Sequence, residues 1–434
     1  MSVILNIGRR AKESAVFLLY CGLLAVLYYS IISESGPKNV PKLLTYAGSL
    51  LLGYVLFRKL LFKGDGQEAV RKDSQAISFI KFPDQFADGL LIACTIFIAS
   101  HFFYLGHIPV VDSILSNDYY DIMRIRQSVF FEAPAVFRYL PNIILKSLLP
   151  FLLLYYCVVG RRGRFWLSLG IGTFYGLALM NKMFVVILYA PLMLYLLFSR
   201  RFFTSAAIAL IPVTALALLV FVQNPQVRPE LWTAREVATA SGKPLVIEAP
   251  TTLEQALAKR KTQSSTYPAL QFVETIYLRV FVVPGQVITV WFSNIPQILP
   301  FANGCGYRLI AAVRGCEFRF FPSLVHDIEN PILVREGIRG TMTAASFMED
   351  YANFGNKGLV LGGIVLAFLL ALIARLFAGN WRWALILNFI PISMMMELPL
   401  STVLLTGGWA TTLLLYPIFR ARLKSAAGET RDEA

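Results

Sequence analysis

Long apolar runs alternate with short basic turns along most of this 434-residue chain, and their spacing predicts about ten membrane-crossing helices. The runs fall at 15–33, 43–62, 87–104, 141–159, 165–180, 183–199, 203–222, 357–377, 383–398 and 400–418. Each is close to the roughly 20 residues that an α-helix needs to cross a hydrocarbon core of about 30 Å. Spans one to seven therefore occupy 1–222 with an outer loop at 105–140, and spans eight to ten with a tail occupy 357–434. Between them lies a large outer loop, 223–356, polar at 228–266 and strongly apolar at 270–300. Pro284 and Gly285 interrupt the apolar part. It is predicted to be a broken or re-entrant pair of half-helices, or a helix lying in the interface. The expected fold class is an all-α polytopic membrane protein.

Composition agrees, with 56% of residues hydrophobic and 15% charged, where a soluble domain carries roughly a quarter charged. A net charge of +14 would suggest nucleic acid in a soluble protein, but here it reads as topology and no nucleic acid is expected. Of the 40 Lys and Arg, 20 lie before span one, in the turns at 58–81, 161–164, 200–201 and 375–382, and in the tail. All of these fall on one side if ten spans alternate, so both termini are expected in the cytoplasm. Arg9, Arg10 and Lys12 precede a run with no small-residue cleavage site, which predicts a retained first helix. No internal repeat is visible, which weighs against a carrier. There is no Walker loop, no dinucleotide glycine motif and no zinc-ligand spacing among His101, His107 and His326. Neither a cofactor nor a metal is expected.

Candidate chemistry gathers on the outer side. Arg124, Arg126 and Arg138 precede span four, Arg279 sits inside ETIYLRVFVVPG, Arg308, Arg314 and Arg319 occupy one loop, and Arg335 and Arg339 precede span eight. Guanidinium forks bind phosphate oxygens bidentately and stay charged when partly dried, so the cluster fits a lipid pyrophosphate. Pairing with nearby acids or lipid headgroups is the plainer account of any single one. Arg279 is the exception, since a lone charge mid-run has only Glu274 as local relief. Lys182, in the turn between spans five and six, either reaches a phosphate or snorkels. Ser346–Phe347–Met348–Glu349 has the form of a capping box, predicting a helix from Ser346 whose first turn holds Glu349 and Asp350. One of these acids is a candidate proton acceptor, and Tyr351 a candidate sugar-stacking ring. His326 beside Asp327 is a weaker candidate base. Cys305 and Cys316, 11 positions apart, either close GYRLIAAVRG into a hairpin in an oxidising compartment or stay as two thiols.

At MRIRQSVFF, then LRVFVVPGQ, then ASFMEDYANFGNKGLVLGG leading into a span, the chain resembles the O-antigen (oligosaccharide repeat unit) polymerases of Wzy type. The last string is the most specific, being similar to a Ser-Phe, acid, Tyr-Ala-Asn-Phe-Gly series in that family. The resemblance covers residues 100–370 and implies a GT-C-like glycosyltransferase architecture. It further implies a metal-independent enzyme that transfers a growing glycan from undecaprenyl pyrophosphate onto a new lipid-linked repeat unit. By the same resemblance it acts at the periplasmic face of the bacterial inner membrane, beside a chain-length regulator and a flippase. The arginines and Lys182 would hold the pyrophosphate, and Glu349 or Asp350 would be the base. The 134 residues between spans seven and eight depart from many relatives. Rivals are an O-antigen ligase passing the glycan to lipid A core, for which the Asp after His326 is the wrong partner, and a flippase for lipid-linked sugars.

Overall fold

The computed structural model describes residues 12–62, 82–116, 119–129, 133–223, 277–335, 337 and 339–427. The polar stretch 228–266 and Glu274 lie outside the described residues. Every described element is helical. The first seven predicted spans appear as α1 (Ala15–Ser35), α2 (Val40–Leu61), α3 (Pro83–Leu105), α6 (Ala135–Ile143) continued by α7 (Leu149–Val159), α8 (Arg162–Ala178), α9 (Lys182–Phe198) and α10 (Phe202–Gln223). Two short helices, α4 (Pro109–Leu115) and α5 (Tyr119–Gln127), fill the outer loop ahead of α6. From residue 277 onward come α11 (Val283–Asn294), α12 (Arg308–Arg314), α13 (Phe321–Glu329), α14 (Pro331–Arg335) and α15 (Phe347–Phe354). The chain ends in α16 (Asn356–Leu376), α17 (Trp381–Met394), α18 (Leu400–Leu404) and α19 (Trp409–Ala427).

Six helical stretches among the described residues are long and apolar enough to cross a bilayer, the first being Ala15–Leu61. That stretch is two crossings. Arg58 meets Glu13 at 2.8 Å and the hydroxyls of Tyr20 and Tyr46 are 2.8 Å apart, so α1 and α2 form an antiparallel hairpin about the 3₁₀ turn Gly36–Asn39. The tenth predicted run differs from expectation. It breaks between α18 and α19, because Gly408 takes a φ of 75° and packs against Ser147 where no side chain would fit. The long helix begins at Trp409 and continues to Ala427.

Small residues decide which helices touch. Gly53 on α2 faces Ala367 on α16, and Gly363 on α16 faces Ser49 and Tyr46 on α2, so the two helices run side by side at close range. Gly285 on α11 meets Ser30 on α1, where its amide donates to the Ser30 hydroxyl at 2.6 Å. The Pro284–Gly285 pair thus marks both a change of helical register, from a π turn at Leu278–Val282 into α11, and the crossing with α1. One continuous apolar core joins the spanning helices, with Trp291, Trp383 and Trp409 among its buried rings. At the far end, Asp84 takes Arg161 at 2.9 Å and Arg422 at 3.2 Å, while Asp88 takes two bonds from Arg164, each 2.8 Å.

Candidate functional site

The acid-bearing helix does not sit where the sequence suggested. Gly355, at a φ of 61°, folds α15 back along α16, so the two run antiparallel. Gly358 and Gly362, one turn apart on α16, make room: a Cβ at Gly358 would strike the Asp350 backbone oxygen, and one at Gly362 would strike the Asp350 carboxylate. Gly362 lies six residues into α16, or about 9 Å along its axis at 1.5 Å per residue. The acids are therefore sunk below the start of α16 rather than gathered at its rim. Replacing Gly362 by Ala forces the carboxylate aside, and a displacement of about 1 Å costs roughly 10²-fold in rate. We expect a loss of that order in a transfer assay, with the protein still folded in its detergent elution profile.

The capping box also resolves differently. Ser346 does precede α15, but its hydroxyl makes no cap; it lies 3.3 Å from the Tyr20 hydroxyl, and its amide donates to the Met395 carbonyl at 2.9 Å. Ser346 is 2% exposed, and burial hands its polar groups to tertiary partners instead. The helix start is consequently packed against the Met395–Pro399 bend and does not face an anion.

Around the acids, each carboxylate has a distinct environment. Asp350 accepts the Tyr307 hydroxyl, while Glu349 accepts the Ser401 hydroxyl at 3.2 Å. Burial and the adjacent Asp350 charge push the Glu349 carboxyl up to about 8. Burial pushes Asp350 up to about 7, and the Tyr307 bond restrains that rise. Tyr307 itself is held far above the usual phenol range by burial and the Asp350 charge, so it remains an O–H donor. Two neighbouring acids with separated affinities leave Asp350 the first to ionise.

Tyr307 belongs to a hairpin that the Cys305–Cys316 disulfide closes around α12. Asn353 ties this hairpin to α15: its side-chain oxygen accepts the Gly306 amide at 2.8 Å, and its own carbonyl accepts the Asn303 amide at 2.8 Å. Arg314 donates to the Asn303 carbonyl, and Arg308 lies over the rings of Tyr139 and Phe318 at 5.6 and 4.9 Å. Both arginines thus serve the hairpin. Tyr351 is 5% exposed, set edge-on to Phe292 and Phe301 with Lys42 above the ring at 4.9 Å.

On the other side of the Met395–Pro399 bend is a cavity of about 390 Å³. Met396, Glu397 and Leu398 of the bend line it together with Lys146 and Arg279, while Ser401 just beyond the bend reaches Glu349. Arg279 and Arg126 are both close enough to Lys182 to interact electrostatically. Arg279 has no hydrogen bond or ion pair to any described residue. Of the remaining predicted cations, Arg124 pairs with Asp121 at 3.2 Å and Arg138 donates to the Ala133 carbonyl at 2.8 Å. Arg335 ends α14, and Arg339 places its amide on the Gln127 side chain at 3.3 Å. His326 is packed against Gly340, with Asp327 at 3.2 Å.

The structure thus brings Glu349 and Asp350 together, and separately Arg126, Lys182 and Arg279, with one bend between the two groups. Tyr307, Ser401, Lys146 and Glu397 were missed. For Lys146 the signal existed: a cation followed four residues later by a proline inside an apolar run, much as Arg279 precedes Pro284. Tyr307 had none, since only the fold brings it to Asp350.

Fold and site define an all-helical, multi-pass membrane protein with a sunken acid pair beside a cationic cavity. Residues 127–224 match the family model described as dolichyl-phosphate-mannose-protein mannosyltransferase. The matched stretch holds Arg138, Lys146 and Lys182 and ends before the acid pair. No curated protein and no solved structure matches the chain.

Proposed function

We propose that the chain is a glycosyltransferase acting on lipid-linked sugars, and specifically a polymerase joining undecaprenyl-pyrophosphate-linked repeat units into a long glycan at the outer face of the bacterial inner membrane. The observation that carries this is that one bend joins the two groups: Met396, Glu397 and Leu398 line the cavity with Arg279, and Ser401 just beyond the bend reaches Glu349 beside Asp350. The match of 127–224 to a mannosyltransferase family model supports glycosyl transfer, and the Wzy-type motifs support the polymerase.

In the proposed reaction, the acceptor sugar hydroxyl attacks the anomeric carbon of the donor. A new carbon–oxygen bond forms, the bond to the pyrophosphate oxygen breaks, and its electron pair leaves with the pyrophosphate. Asp350 takes the hydroxyl proton, and Tyr307 orients its carboxylate through the opposite oxygen. Glu349 keeps its proton at neutral pH and spares the site a second negative charge. Arg279, Lys182 and Arg126 hold the pyrophosphate and stabilise the charge that develops on it.

Deletion of the gene tests this assignment through the glycan profile of the cell. Loss of the chain-length ladder with one repeat unit left on lipid A core is the expected result. Loss of all repeat units from the core would mean a ligase, and an unchanged ladder would remove glycan assembly altogether.

A further inference from the structure

The π turns Ile144–Leu148 and Leu278–Val282 are each followed by a helix with proline at its second position, Pro150 and Pro284. The cause is local. Proline has no N–H and its ring crowds the carbonyl four residues earlier, here that of Lys146 or Val280. The amide just ahead of each proline bonds five residues back, Leu149 to the Ile144 carbonyl and Val283 to the Leu278 carbonyl. A π register widens the turn and redirects the side chains it carries, and such turns concentrate at functional sites.

Each wide turn carries one cation, Lys146 in the first and Arg279 in the second, and both line the same cavity of about 390 Å³. Apolar side chains, among them Met183, Ile187 and Met394, form much of the remaining wall. Neither cation makes an ion pair with a described carboxylate. Glu397 lines the cavity as well but bonds to neither, and the Lys146 ammonium has the Phe184 ring 5.6 Å away. Two cations on one largely apolar cavity, facing one carboxylate that bonds to neither, leave an excess positive charge that an anion would offset.

We propose that Lys146 and Arg279 form the opposing walls of a site for a phosphate or diphosphate ester, and that Pro150 and Pro284 are positioning residues that aim the two cations by enforcing the π turns. This rests on the lipid-linked donor proposed above, but it is separable from it because binding can be measured without sugar transfer. Lys146 supplies a point charge and Arg279 a fork, so the two contacts are complementary on a single diphosphate.

Purified full-length protein in detergent would be titrated with farnesyl diphosphate and, in a parallel arm, with phosphatidylglycerol. We expect Lys146→Met to weaken farnesyl diphosphate binding about 10–100-fold, the range of one charge-assisted contact, and Lys146→Arg to restore most of it. Pro150→Ala should weaken binding about 10-fold through the same contact, so adding it to Lys146→Met should cost almost nothing more. A merely structural role for Pro150 would give additive losses instead and would overturn the positioning role. Unchanged affinity in a folded Lys146→Met protein would overturn the site. Equal, Lys146-dependent binding of phosphatidylglycerol in place of the diphosphate would reassign it to a lipid headgroup. If Lys146→Met loses diphosphate binding but the wild type transfers no sugar, the site stands and the proposed function falls. If the wild type transfers sugar and Lys146→Met does so at unchanged KM, the function stands and the site falls.

Discussion

Asp350→Asn is expected to lower the rate of glycosyl transfer by about 10²–10⁴-fold, the usual worth of a positioned general base. The amide keeps the shape of the carboxylate and still accepts the Tyr307 hydroxyl, so folding should be little disturbed. Glu349→Gln is expected to cost far less, because at neutral pH Glu349 is already uncharged and glutamine imitates its neutral form. The pH dependence separates the two acids. Wild-type activity should rise as pH passes about 7, where Asp350 loses its proton, and should already be low below pH 6. Glu349→Gln should leave that midpoint in place, since Asp350 ionises while its neighbour is neutral. Tyr307→Phe should move it upward, because the lost hydroxyl bond favoured the charged carboxylate. Full activity in Asp350→Asn would exclude it as the base, and a collapse confined to Glu349→Gln would exchange the two roles.

Arg279→Ala is expected to abolish long glycan chains in the cell while leaving single capped units, a loss of about 10²–10³-fold in turnover if the guanidinium stabilises the departing pyrophosphate. Arg279→Lys should recover part of that, since the charge remains and the bidentate fork does not. Two features make the effect large. Arg279 has no described partner to be released from, and its substitution leaves Lys146 as the one cation among the described residues lining the cavity. A normal ladder of chain lengths in the alanine variant would sink the polymerase assignment. Purified Arg279→Ala protein should keep its detergent elution profile, because the residue lies on the exposed side of its π turn.

The crossings were legible because runs of about 20 apolar residues have few soluble alternatives, and their ends fall within a few residues of the helices over α1 to α10. The break between α18 and α19 was read over because Leu400–Phe419 carries no charge; Gly407–Gly408 was the available turn signal, and the close approach of Ser147 is what makes Gly408 the turn. The importance of ASFMEDYANFG was visible, and so was the helix that begins after Ser346. Its depth was not, because that depends on Gly355 reversing the chain and on Gly358 and Gly362 leaving a trough, neither of which alters the apolar period. The capping box misled for a related reason: Ser346 has the right identity and spacing, but a cap hydroxyl must be free to turn inward on its own helix. Arg308 and Arg314 stood out in the sequence as ligand-binding charges, and the contacts the fold gives them, the Tyr139 and Phe318 rings and the Asn303 carbonyl, depend on tertiary packing that the sequence pattern does not carry.

The reversal at Gly355 also has a bearing on how the protein is made. At eight residues, α15 is about 12 Å long, far short of the roughly 30 Å that an inserting machinery could leave across a bilayer as a stable span. It therefore depends on α16 for its position, lying in the trough that Gly358 and Gly362 leave. The place of the acids is thus set by tertiary contacts alone: the glycine trough of α16 beneath them and the Cys305–Cys316 hairpin that brings Tyr307 onto Asp350.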